Sequence, residues 1–284
     1  MKKVLLLVMG FAAVLSLSCC SSDDDDNGNS GDSGKKYLAE VTVKEHPWKF
    51  GERTTYGEDY EDYKYDAKGN LIEKETNYYS SLLSGRNNYK YVYTYDDKNR
   101  LVEMNEYWLY SLNYKYKYQY NEFDSVSVML KYNKDGKLYT EYTYEYDGSK
   151  RLSKLTERDA LSSSGYGYVR KYSYSGNSVS EVTTMLKDGS AFGTMVWEYD
   201  SHHNLLKETW TNDETGKSTI QKNNSYEYNT KGQLTRWTSK DWIFTDKLSY
   251  RDYYYNEDGT IERIHLSYSF KDDKSDLIYT YTWK

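Results

Sequence analysis

The stretch Tyr89-Lys90-Tyr91-Val92-Tyr93-Thr94-Tyr95-Asp96-Asp97-Lys98-Asn99-Arg100-Leu101 decides how the rest of the chain is read. Its tyrosines occupy every second position, so in an extended backbone they share one face while Lys90, Val92 and Thr94 share the other. A polar turn follows, and Leu101 opens the way out. Period-two alternation running into Asx and turn residues marks a half-buried strand entering a hairpin.

Variants of this unit recur to the C-terminus. The anchors are Tyr65-Asp66, Tyr95-Asp96, Tyr120-Asn121, Tyr146-Asp147, a degenerate Tyr174-Ser175, Tyr199-Asp200, Tyr228-Asn229 and Tyr255-Asn256, at steps of 25 to 30 residues. That period suits one hairpin plus its return connection. In Tyr65-Asp66-Ala67-Lys68-Gly69-Asn70-Leu71, Asp66 can bond the backbone two residues on, and Gly69 can take the positive φ that closes a short turn. Tyr132-Asn133-Lys134-Asp135-Gly136-Lys137-Leu138 uses the same chemistry out of phase, which predicts a turn at the opposite end. Tyrosines share a parity again at Tyr114 to Tyr120, Tyr142 to Tyr146 and Tyr279 to Trp283, against Lys115, Lys117, Gln119 and Glu141, Thr143, Glu145. Alternation continues after the turns in Val126, Val128, Leu130 and in Ile264, Leu266, Tyr268, Phe270. Connections are expected at 80–88, 160–165, 212–217, 239–247 and 271–276, where the pattern lapses.

Repeated hairpins, with extra strands at 38–43 and 277–283, predict an all-β antiparallel meander of about 16–18 strands. A sheet that long curls into a flattened barrel or a spiralling sheet. The chain's 36 Tyr and 7 Trp against one Pro agree, and almost no helix is expected. Lys and Glu stand mid-strand opposite the tyrosines, and each Lys or Arg at a bilayer midplane costs about 2–4 kcal/mol. The barrel is therefore expected to be soluble, not membrane-spanning. On this parity Tyr93→Asp should destabilise strongly and Lys90→Glu should be nearly silent.

The N-terminus reads as an address. Met1-Lys2-Lys3 is basic, Val4 to Leu17 is apolar, and Leu17-Ser18-Cys19-Cys20 resembles a lipobox, which makes 1–19 a lipoprotein signal peptide. Cys20 is the expected lipidation site and Cys19 the alternative. Residues 20–36 then form an acidic, flexible tether, and 37–284 a single β-repeat domain. Ser22, Asp23, Asp24, Asp25 and Asp26 resemble the surface-export signal of Bacteroidota lipoproteins. Contiguous Asp lack the spacing of a calcium loop. Losing Lys2 and Lys3 with the signal takes the formal charge from −6 to −8, which argues against a nucleic-acid partner.

The Tyr-Asp-x-x-Gly-x-Leu units look like the YD repeats of Rhs-type bacterial shells, at a longer period and with looser glycine. The whole pattern of lipobox, acidic tether and Tyr-Asx turns resembles a Bacteroidota lipoprotein family of unknown function with a porin-like fold. The resemblance implies a large antiparallel barrel-like sheet and an outer-membrane lipoprotein, with no catalytic residues to carry over. Exposure at the cell surface is the expected location, and a periplasm-facing one the alternative.

No Gly-x-Ser-x-Gly, His-Glu-x-x-His or phosphate-cradling loop occurs in the sequence. His202-His203 falls inside a turn that wants polar residues, His46 and His265 read as structural, and no metal or cofactor is expected. Glu141 and Glu145 lie about 13 Å apart along one strand, beyond the usual glycosidase separation. The expected function is therefore a non-enzymatic surface binding or interaction module held at the membrane by lipid, with a glycan or a protein as its partner. A glycan-binding reading draws on Trp108, Trp242 and Phe244, and a glycan-active enzyme is the third alternative.

Overall fold

Asp66 accepts hydrogen bonds from the backbone N–H of Lys68 (2.9 Å) and of Asn70 (2.8 Å), and Gly69 takes φ 81°. The result is a tight turn followed by a one-residue bulge, which strengthens the local twist. Asp96, Asn121, Asn133, Asp147, Asp200 and Asn229 repeat the pair of bonds two and four residues on. Where glycine is missing from the left-handed position, Asn99, Asp124, Lys150 and His203 occupy it at φ 57° to 65°. His203 is thus a turn residue, as its sequence context implies.

The structure is a computed structural model that describes residues 38–49, 52–53, 59–80, 85–163, 165–241, 248–267 and 274–283. Among them are only strands and turns. The strands are β1 (Leu38–Lys49), β2 (Glu52–Arg53), β3 (Asp59–Tyr65), β4 (Leu71–Ser80), β5 (Gly85–Tyr95), β6 (Leu101–Trp108), β7 (Ser111–Tyr120), β8 (Val126–Asn133), β9 (Leu138–Tyr146) and β10 (Leu152–Asp159). They continue as β11 (Gly167–Ser175), β12 (Ser178–Met185), β13 (Ala191–Tyr199), β14 (Leu205–Thr211), β15 (Ser218–Tyr228), β16 (Leu234–Asp241), β17 (Ser249–Tyr255), β18 (Ile261–Ser267) and β19 (Lys274–Trp283).

From β3 to β19 each strand pairs antiparallel with the next, and β1 pairs with both β3 and β19. Apart from the two-residue β2, which lies against the end of β1, the strands form a closed ring of 18. Closure runs from Leu38↔Trp283 to Trp48↔Lys274 and removes the edges that an open spiral would expose. One rim carries the Asx turns and both ends of the described chain. The other, the loop rim, carries the return connections and the Asn133 turn.

Directly paired residues share a face, so the register assigns the wall. Tyr63, Tyr93, Tyr118, Tyr144, Tyr172, Trp197, Tyr226, Tyr253 and Tyr279 face inward, with Met104, Met129, Leu155, Ile264 and Val43 beside them. Ile261, Ile264 and Leu266 form a buried cluster against Tyr253, Tyr255, Leu277 and Tyr279. The outer wall carries ion-pair ladders, Lys64–Glu73 (2.8 Å), Lys90–Glu73 (2.7 Å), Lys115–Glu103 (3.3 Å) and Lys154–Glu145 (2.8 Å). A wall so charged at mid-strand does not face hydrocarbon.

A second repeat lies inside. The hydroxyls of Tyr95, Tyr120, Tyr146, Tyr174, Tyr226, Tyr255 and Tyr281 donate to the carbonyls of Leu71, Leu101, Val126, Leu152, Leu205, Leu234 and Ile261 at 2.7 to 2.9 Å. Each acceptor opens the strand before the one that bears the tyrosine.

Three expectations change. Val128 and Leu130 pair with Gln119 and Lys117 and so lie on the outer face, while Met129 and Lys131 point inward. Strands extend into the expected connections: Tyr78 pairs with Asn87 and Asn77 with Asn88, with Asn87 and Asn88 buried, because neighbouring strands supply what asparagine lacks in β propensity. Lys90 is paired with Glu73, so Lys90→Glu would place like charges together rather than be silent.

Tyr93→Asp is expected to cost on the order of 3–5 kcal/mol, as an uncompensated charge inside the wall, and Lys90→Gln no more than about 1 kcal/mol, both measured by denaturant unfolding. Equal losses would mean that the faces are reversed. Tyr120→Phe, which removes one hydroxyl–carbonyl bond, is expected to cost about 1 kcal/mol, a drop in Tm of about 2–4 °C.

Candidate functional site

Toward the loop rim the inner face changes character. Below it the lining is tyrosine; here charged side chains enter and the aromatics become exposed. Arg170 of β11 lies 2.9 Å from Glu157 of β10 and 3.8 Å from Glu181 of β12, with its guanidinium over Tyr168. Cross-strand register sets this up, since Tyr168 pairs with Glu157 and Tyr172 with Glu181. Thr183 donates to Glu181 at 2.9 Å. Further round, Glu106 accepts from Tyr116 (3.1 Å) and Asn113 (2.7 Å), and Glu208 accepts from the Trp197 indole at 3.1 Å with Lys222 at 3.6 Å.

Lys131 sits among tyrosines. Its Nζ is 3.7 Å from the Tyr114 ring centroid, 5.3 Å from that of Tyr139 and 5.5 Å from that of Tyr116. Burial holds its ammonium below the ordinary lysine range, against the pull of Glu106 and Glu157.

Above the Arg170 cluster runs an aromatic ladder. Tyr166, Tyr168, Phe192 and Trp210 follow one another at centroid separations of 5.8, 5.5 and 5.7 Å, each pair edge to face. Tyr166 is 46 % exposed and Phe192 48 % exposed. Trp210 lies on Gly193: a Cβ there would meet the indole at 2.0 Å, so only glycine admits the ring at this depth. The ladder thus draws on the β10–β11 connection, β11, β13 and β14, with Arg170, Glu157 and Glu181 beneath it. A row of aromatic faces beside a few fixed polar groups is the usual make-up of a small-molecule or sugar site.

Trp108 lies elsewhere on this rim, 40 % exposed at the end of β6, its indole N–H donating to Asn87 Oδ1 at 3.3 Å. Trp242, Phe244, Cys19, Cys20 and Ser22 to Asp26 lie outside the described residues. The ladder escaped the sequence reading because its members sit in three unrelated stretches with no common motif. Glycine at 193, inside the strand pattern of β13, was the one local sign of a close approach. At the closure seam, Asp276, 1 % exposed, lies 2.8 Å from His265 Nδ1 and 3.5 Å from Arg263 Nη1.

No protein-family model matches the chain, and no curated protein does. Among solved structures it is similar to a porin-like protein from Bacteroides uniformis ATCC 8492, with 11 % identity over 86 % of this chain and 96 % of that one, at a TM-score of 0.46. TcdB2-TccC3 without its hypervariable C-terminal region gives 12 % identity over 74 % of this chain, a TM-score of 0.28, and 12 % of that chain covered. The reading of the site rests on its own geometry.

Burial pushes Tyr118 up to about 12, and burial together with Asp66 does the same for Tyr95. Tyr93 and Tyr279 are raised further by burial and by neighbouring tyrosines. A folded-state value above the unfolded one gives stability that is present below pH ~10 and lost as pH rises toward 12. Alkaline titration should therefore leave the lining tyrosines protonated near pH ~10, and their tyrosinate absorbance should rise in one step that coincides with loss of β circular dichroism. Gradual titration of most tyrosines with the fold intact would contradict a buried lining.

Proposed function

We propose that the chain is a lipid-anchored protein of the bacterial outer membrane, displayed at the cell surface, that binds a glycan at its loop rim and catalyses no reaction. The observation that carries this is the ladder of Tyr166, Tyr168, Phe192 and Trp210 beside Arg170, Glu157 and Glu181. Exposed aromatic faces suit the apolar faces of sugar rings, and the charged groups beneath can meet the hydroxyls. Glu157 and Glu181 share one guanidinium, so both carboxylates are committed to the same ion-pair cluster, which supports binding over hydrolysis. The anchor and the surface address rest on Cys19-Cys20 and the acidic stretch after them.

The test is binding of the mature chain to a glycan array, with Phe192→Ala and Trp210→Ala alongside. Selective binding should weaken at least about tenfold in each variant, roughly 1.4 kcal/mol, at unchanged circular dichroism. A blank array, or binding indifferent to both changes, would remove the glycan. Glycan cleavage that disappears in Glu157→Gln would make the protein an enzyme.

A further inference from the structure

The connection between β6 and β7 is a two-residue hairpin turn made of Leu109 and Tyr110, both left-handed at φ 46° and 67°, with Trp108 paired to Ser111 across it. Such a turn wants Asn-Gly, because a bulky side chain at positive φ is strained. Elsewhere among the described residues, non-glycine positions of this kind hold Asn99, Asp124, Lys150 and His203, one to a turn. Here two bulky residues in succession carry the strain. Their side chains do not repay it by packing: Leu109 is 46 % exposed, Tyr110 80 % and Trp108 40 %.

We propose that this tip is a membrane-docking finger that enters the interfacial layer of a lipid bilayer. Three observations favour lipid as the occupant. From Tyr107 to Tyr114 the chain carries no charge, between Glu106 and Lys115, in a protein that is 29 % charged. Trp, Leu and Tyr together are the side chains that settle at the boundary between headgroups and acyl chains. The Leu109 N–H already donates to the Asn88 carbonyl at 2.9 Å, so immersion would not orphan that amide.

Reach does not forbid it. Both ends of the described chain lie at the opposite rim, and the 17 residues at 20–36 have a contour length on the order of 56 Å, more than the roughly 40 Å of the longest strand. A finger that binds weakly on its own would act on an anchored chain through high effective concentration. The proposal is independent of the glycan reading, since the ladder lies on other strands.

The experiment is co-sedimentation with phosphatidylcholine vesicles of the mature chain, residues 20–284, with Cys20 replaced by serine so that it carries no lipid. The comparison is the double variant Leu109→Asn, Tyr110→Gly, which supplies the turn's preferred residues. The unchanged finger should pellet with vesicles, insensitively to salt, and the variant should pellet at least fivefold less while melting at a higher temperature. Greater stability with lost binding separates the finger from misfolding. Equal pelleting of the two, or pelleting abolished by salt, would overturn the proposal. A chain that stays in solution would also overturn it, and if a photo-crosslinker at position 110 then captured one outer-membrane protein, the tip would belong to a protein partner.

Discussion

The carbonyl that opens each returning strand lies beyond the last rung of the ladder to the next hairpin, and a tyrosine hydroxyl reaches across to fill it. Between β6 and β7 the ladder ends at Glu103↔Lys117, leaving Leu101 past its end, and Tyr120 donates to the Leu101 carbonyl at 2.7 Å. The bulge at the Asx turn creates this gap, by shifting the register between Gln119 and Tyr120 on the far side of the same strand. An unfilled carbonyl on a partly buried wall costs more than the bond itself is worth. This requirement explains tyrosine rather than phenylalanine at the anchors Tyr95, Tyr120, Tyr146, Tyr174 and Tyr255, while in β15 the bond comes from Tyr226, two residues before the anchor Tyr228. It also welds each hairpin to its predecessor, which turns locally stable units into a ring.

Closure then makes demands on composition. Eighteen strands enclose more space than one layer of side chains fills, so the lining must tolerate partial hydration. Tyrosine does so, being apolar along the ring and polar at the tip. On the outside, Lys and Glu alternate across strands, Glu73 serving both Lys64 and Lys90. Each such pair contributes little to stability. Their collective effect is on partnership, because a wall of opposed charges gives neither lipid nor another sheet a surface to bind.

Much of this architecture was legible because its determinants are periodic. Parity placed the tyrosines on one face, and Asx with glycine placed the turns, including the out-of-phase one at Asn133. Three features were illegible for physical reasons. Leu109-Tyr110 closes a hairpin without any residue that prefers one, so it carried no turn signal. Asn87 and Asn88 have poor strand propensity and are extended only because β4 and the Trp108–Leu109 corner bond them. Val128 and Leu130 look like core residues, yet the bulge at Tyr120 sets their parity, and a bulge position cannot be counted from hydrophobicity alone. The ladder of Tyr166, Tyr168, Phe192 and Trp210 belongs to tertiary structure entirely, assembled from β11, β13 and β14 and the connection before β11, in stretches that share no motif.

The two rims divide these roles. At the turn rim nearly every side chain is committed: Asp96 holds Arg100, Arg100 lies over Tyr120 and reaches Asp124, and Arg151 repeats the arrangement over Tyr174. A position that must satisfy its own turn and pack on the next repeat has no freedom to acquire a ligand. At the loop rim the connections are not bound by that rule, so glycine at 193 can make room for an indole and a strained Leu-Tyr pair can stand in solvent. The stability supplied by the repeated hydroxyl–carbonyl bonds at one end is what lets the other end hold exposed aromatics and backbone strain without unfolding.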